Sequence, residues 1–168
     1  MDDPSNEADR FDRVRARKAL RVLAPLGLGP DTLADVAGHL AEARVALEAA
    51  ADAAAGRVLT VADGIVRIGE GFFSEPAELQ RRLLQRVLLW IVPGDYGPRG
   101  AAVQGLLAKL RSGKSAQLAG CHFLNQGGAV LAFREAGAVK DLTSAADGLW
   151  DGRWHLEGPA APGAEMRA

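Results

Sequence analysis

An α+β fold is expected for this 168-residue chain, and three observations predict it. Apolar residues recur at helical spacing through residues 31–55 and 79–91, whereas beyond Gly113 the period falls to two. The two kinds of pattern sit one after the other rather than alternating, which separates this chain from a doubly wound α/β protein. The expected organisation is a connector helix over 1–27, a small helical domain over 28–112 and a β-rich subdomain over 113–168.

A first helix is predicted from a cap at Ser5 or Asn6, with Glu7 and Asp9 at the positive end of its dipole, to about Leu23. Pro25, Gly27, Gly29 and Pro30 then break the chain. Asp31 caps a second helix in which Leu33, Val36, Leu40, Val45 and Leu47 recur down to Ala55, with Gly56 as its stop. Val58, Thr60 and Val61, the Asp63-Gly64 turn, and Ile65, Val66 and Ile68 predict a short hairpin covering one end of the bundle.

A third helix starts at Pro76. Leu79, Leu83, Leu84, Val87, Leu88 and Ile91 fall at i, i+4, i+5, i+8, i+9 and i+12, a broad stripe that requires a partner. Arg81, Arg82 and Arg86 lie on its other side. Pro93-Gly94 ends this helix and a fourth begins near Pro98, burying Val103, Leu106, Leu107 and Leu110. Beyond it, residues 118–133 read as a hairpin turning at 125–128, with 150–156 as further strand paired to it. The tail from Gly158 is expected to fray.

Composition excludes some classes. No apolar run reaches the ~18 residues that a membrane-spanning helix needs, and the charged first 25 residues are unlike a secretion signal. A cytoplasmic protein with no membrane partner is expected. Cys121 is the single cysteine, so no intrachain disulfide can form. A net charge of −1 argues against binding nucleic acid by bulk positive charge. The cations are distributed unevenly, however: 16 are Arg and 4 are Lys, and Arg10, Arg13, Arg15, Arg17 and Arg21 crowd the first helix. That helix could form a phosphate-binding stripe, or its arginines could be a solvated face paired with Asp9 and Asp12.

Three motifs invite chemistry. Gly113-Lys114-Ser115 has the ending of a phosphate loop, but Ala108 stands where the loop needs glycine and a helix precedes it, so a helix cap and turn is expected, leaving Lys114 to solvent or RNA phosphate. Cys121 and His122 are adjacent on a strand and point to opposite faces, so neither activates the other. His39, His122 and His155 are scattered, and no metal site is expected.

Asp3-Pro4-Ser5-Asn6 followed by Phe11-Asp12-Arg13 and Arg17 resembles the segment that closes the catalytic domain of tRNA(Ile)-lysidine synthetases. The resemblance continues through residues 76–84, through Gly94-Asp95-Tyr96-Gly97-Pro98-Arg99 and into 118–121. Val14 departs from it, standing where the family usually has Asn. So does the absence of an SGGxDS-type ATP loop.

The resemblance implies the C-terminal portion of a ligase that attaches lysine to cytidine 34 of tRNA(Ile) with a CAU anticodon. ATP and Mg are then expected only in an N-terminal catalytic domain, which becomes a partner of this chain, and the chain alone should be inactive. A homodimer through an exposed apolar patch is a further expectation. The resemblance marks Arg13 and Arg17 either as contacts to substrate acid groups or tRNA phosphates or as residues that staple the connector helix to the catalytic domain, with Asp3, Ser5 and Asn6 shaping the segment. Arg99 and Lys114 are further tRNA-binding candidates, and Tyr96 is expected as a structural anchor of its turn. The competing reading is a helical adaptor that binds a protein through its leucine stripe and has no RNA role.

Overall fold

The computed structural model describes residues 12–159, 161 and 163–168. The helices are α1 (Asp12–Leu23), α2 (Pro30–Val58), α3 (Ala77–Ile91), α4 (Gly100–Arg111) and the single turn α5 (Ala136–Val139). The strands are β1 (Leu59–Ala62), β2 (Ile65–Ile68), β3 (Ala116–Leu118), β4 (Cys121–Gln126), β5 (Ala129–Arg134), β6 (Thr143–Ala145), β7 (Leu149–Trp150), β8 (Trp154–His155) and β9 (Glu165–Arg167). The class is α+β, as the two periods predict. Two compact units divide at Glu48/Ala49, inside α2.

In the first unit α1 ends in a 3-10 turn, Ala24–Leu26. Gly27 closes it at φ 80°, and the Leu28 N–H donates to the Leu23 carbonyl at 3.2 Å. Pro30 then opens α2, where its missing N–H costs nothing. No described side chain of this unit is buried; Leu33, Val36 and Leu40 of α2 form an exposed apolar stripe. The caps expected at Ser5 or Asn6 lie outside the described residues.

The second unit is built on one antiparallel sheet in the order β1-β2-β5-β4-β3. Asp63 and Gly64 join β1 to β2 with φ of 49° and 75°, and Gly127 and Gly128 join β4 to β5 with 57° and 82°. Positive φ at both central residues is the two-residue hairpin geometry that these sequences favour. Val66, Ile68, Cys121, Phe123, Val130 and Ala132 are buried along the sheet, and α3 packs on β5 and α4 on β3. All six apolar positions of the α3 stripe are buried, together with Val103, Leu106 and Leu110 of α4. At about 1.5–3 kcal/mol for each large side chain, this is the main source of stability. The α3 stripe is therefore core, and it offers no surface to the partner that an adaptor reading requires.

Several expectations are corrected. Gly56 does not stop α2, which continues to Val58; no side chain crowds Gly56, and burial of Ala51, Ala54 and Val58 outweighs its low helix propensity. The β1–β2 hairpin does not cap a bundle. It is the edge of the same sheet as β3–β5, so a single core crosses the boundary expected between 112 and 113. Residues 150–156 do not extend that sheet: Asp151-Gly152 turns the chain and β7 pairs only with β8. The tail is not wholly frayed, because β9 pairs with β6.

Gln80 is the one polar residue buried as a whole among the described residues. Its amide donates to the carbonyls of Phe73 (3.2 Å) and Glu75 (2.6 Å) and its oxygen accepts from Arg111 (2.8 Å), tying the entry to α3 to the end of α4. Replacement by leucine leaves the cation and both carbonyls without their partner. Gln80→Leu is expected to lower unfolding free energy by about 1–3 kcal/mol, read from the urea midpoint, with no change in helix content.

Candidate nucleic-acid interface

Arg13, Arg17 and Arg21 stand at i, i+4 and i+8 on α1, so they wind along one face. All three are exposed and make no ion pair among the described residues. Arg15 differs, being paired with Asp12. The helix thus presents a cationic stripe with planar donors suited to phosphate oxygens.

Within the second unit, Arg99 occupies the N-cap position of α4, with its backbone carbonyl accepting from the N–H groups of Ala102 (2.9 Å) and Val103 (3.3 Å). Its side chain is exposed beside the free N–H groups of the first helical turn, where an anion is favoured. Lys114 lies at the other end of the same helix. There the Gly113 N–H donates to Leu110 (3.0 Å) and the Lys114 N–H to Lys109 (3.1 Å), the paired closure of a glycine C-cap. The Gly113-Lys114-Ser115 run is therefore a helix stop. The twelve residues of α4 separate Arg99 from Lys114 by about 18 Å along the axis, so the two do not converge.

Tyr96 departs from the anchoring role expected of it. It is 94% exposed. Arg81 and Arg82 of α3 both bond Glu78, at 2.8 Å through each Nε, and Arg86 meets Asp52 at 2.7 Å. The α3 cations thus have carboxylate partners in the chain, as Arg15 of α1 does, whereas Arg13, Arg17 and Arg21 have none among the described residues. Asp3, Ser5 and Asn6 lie outside the described residues.

The nucleophile reading of Cys121 fails on geometry. The thiol is fully buried and burial pushes its pKa up to about 11, while His122 turns to the other face and stacks on Phe133 at 5.2 Å. Among the described residues no cluster of His, Cys, Asp or Glu could hold a metal ion.

Two arginines that the sequence did not single out are built into the second unit. Arg134 forms two parallel bonds to Asp151 (2.8 and 2.9 Å) and a third to the Gly120 carbonyl (3.0 Å). A Cβ on Gly120 would collide with that guanidinium. Arg153 donates to the carbonyls of Ile91 (3.1 Å) and Gly64 (3.4 Å), and its guanidinium lies 4.6 Å from the Trp90 ring and 5.3 Å from the Trp154 ring. Nothing in the sequence pairs Trp90 with Trp154. The Asp-Gly between Trp150 and Trp154 was the available signal for the hairpin that brings Trp154 back.

The arginine contacts hold the Glu78 carboxyl at a pKa of about 2, against an ordinary 4.5, the bond from Arg81 being the largest cause. A depressed carboxyl pKa stabilises the folded state above the unfolded value and loses that contribution as pH falls from 4.5 toward 2. Glu78→Gln should flatten this part of the acid unfolding curve. Because the Glu78 side chain is 40% exposed, high salt should shrink the difference between the variant and the parent.

No protein-family model matches the chain. Among curated proteins it is 46% identical over 169 aligned residues to a tRNA(Ile)-lysidine synthase of Ruegeria pomeroyi, an alignment covering 99% of this chain and 40% of that protein. It is 37% identical to the tRNA(Ile)-lysidine synthase of Novosphingobium aromaticivorans, over 70% of this chain and 34% of that one. A Bradyrhizobium protein of the same name is 36% identical over 58% of this chain and 29% of its own length. The chain is a homologue of tRNA(Ile)-lysidine synthases and spans about two-fifths of the length of the Ruegeria relative.

Proposed function

We propose that this chain is the tRNA-positioning portion of a tRNA(Ile)-lysidine synthase, a ligase that modifies the wobble cytidine of tRNA(Ile) with a CAU anticodon. The observation that carries the proposal is the similarity extending along 99% of the chain. The exposed stripe of Arg13, Arg17 and Arg21 on α1, without ion pairs among the described residues, supports it, and Arg99 at the start of α4 gives the second unit an anion-favouring position. Distinguishing one tRNA from others with a similar anticodon requires contacts away from the reacting base, made to phosphates and to shape.

In this reading the chain contributes no catalytic group. ATP, Mg and the lysine-transfer chemistry belong to a catalytic domain that partners it, and the reaction belongs to the cytoplasm. No helix among the described residues is long and apolar enough to cross a membrane. Leu33, Val36 and Leu40 of α2 supply an apolar stripe for packing against that domain or against a second copy of the chain.

Binding of the chain to tRNA(Ile) with a CAU anticodon, compared with initiator tRNA, tests the proposal. The expected result is selective binding that weakens steeply between about 50 and 200 mM salt. Arg13→Ala, Arg17→Ala and Arg99→Ala should each weaken it and reduce the salt slope by about one. Absence of binding at low salt, or equal binding of both tRNAs, would contradict the proposal.

A further inference from the structure

The turn of the β1–β2 hairpin, the last turn of α3 and the β7–β8 hairpin border an open cleft of about 440 Å³ lined by Val61, Asp63, Gly64, Trp90, Arg153 and Trp154. That volume lies within the range of small-ligand sites. We propose that the cleft receives one unpaired nucleotide of an RNA strand, with its base stacked on an indole and with Arg153 and Asp63 reading its oxygen and amino groups. The inference deepens the tRNA reading above and rests on it.

The two indoles are each 44% exposed although the core of this unit is filled without them. Arg153 holds them in place. Its bond to the Ile91 carbonyl satisfies an acceptor at the negative end of α3, and its bond to Gly64 ties in the hairpin turn. A guanidinium carries five N–H groups, and three remain after these two bonds, fixed in one plane over one face of each ring and leaving the opposite faces to a base. Gly64 belongs to the same arrangement: a Cβ there would come within 2.5 Å of the Trp154 ring. The platform is therefore preorganised, and binding has little side-chain freedom to remove.

The chemistry of the lining selects the occupant. Indole faces and a guanidinium stack on any nucleobase. Asp63, set at φ 49° by the turn and exposed, accepts from an exocyclic amine, while Arg153 donates to a keto or phosphate oxygen. A planar ligand carrying both donors and acceptors fits this pair better than an apolar peptide, which would leave both charges unanswered. Paired bases are excluded, because their amino edges are occupied and their faces are covered. Cytosine, adenine and guanine, which bear amines, should be preferred over uracil.

The test follows the indole N–H signals of the three tryptophans by NMR, assigned with single Trp→Phe variants. Single-stranded hexacytidylate and hexaadenylate are expected to move the Trp90 and Trp154 signals and leave that of Trp150. Hexauridylate should act more weakly, and an RNA duplex of equal length should not act. Trp154→Ala should weaken the single-strand interaction roughly tenfold. Asp63→Asn, which the turn accommodates, should abolish the preference over uracil without altering the unfolding midpoint.

If tRNA binds but single strands leave both indoles unmoved, the cleft inference falls and the tRNA-positioning reading stands. If single strands move the indoles while tRNA does not bind selectively, the positioning reading falls and the cleft stands as an RNA site. Equal affinity for free CMP would overturn it in favour of a mononucleotide site. A response to a proline-rich peptide alone would overturn it in favour of a peptide groove.

Discussion

The pairing of β2 with β5 is the constraint on which the second unit depends. Val66, Arg67 and Ile68 meet Ala132, Leu131 and Val130, joining two hairpins through residues that are more than sixty positions apart in the chain. A two-stranded hairpin alone is marginally stable in water. Joined, the two present one apolar face broad enough for α3 and α4 to cover, and the α3 stripe finds its partner there. The contact is long-range, so it must be closed against loop entropy before burial rewards it.

Much of the local structure could be read from the residues because local rules decide it. The α3 stripe, the Asp63-Gly64 and Gly127-Gly128 turns and the end of α4 at Gly113 each follow from spacing or from a residue that tolerates positive φ. What could not be read is which hairpin lies beside which. Neither β2 nor β5 carries a mark of its partner, so the two halves looked like separate domains. Gly56 misled for a related reason: glycine is a weak stop when apolar side chains on both sides of it are buried.

The placement of the candidate residues was legible in part. Arg13 and Arg17 share one helical face, as their spacing requires, and are exposed, while Lys114 and Arg99 mark the two ends of α4. The roles of Arg134 and Arg153 could not be read, because each is defined by carbonyls and carboxylates from distant segments. Electrostatics divides the arginines into two kinds. Those of α3, with Arg134 and Arg153, answer acceptors within the chain and hold it together, whereas Arg13, Arg17 and Arg21 of α1 answer none among the described residues. A net charge near zero therefore conceals a surface on which some cations are already committed and others remain available.

The burial of Cys121 has a practical consequence. The chain's single thiol is enclosed between the sheet and its helices, and burial disfavours the thiolate that alkylating and disulfide reagents need. A cysteine introduced at an exposed position would consequently be the dominant reactive thiol on a background that needs no prior removal of the native one. Fluorophores or spin labels could then be attached beside α1 or at the cleft rim, and distances within the molecule measured directly.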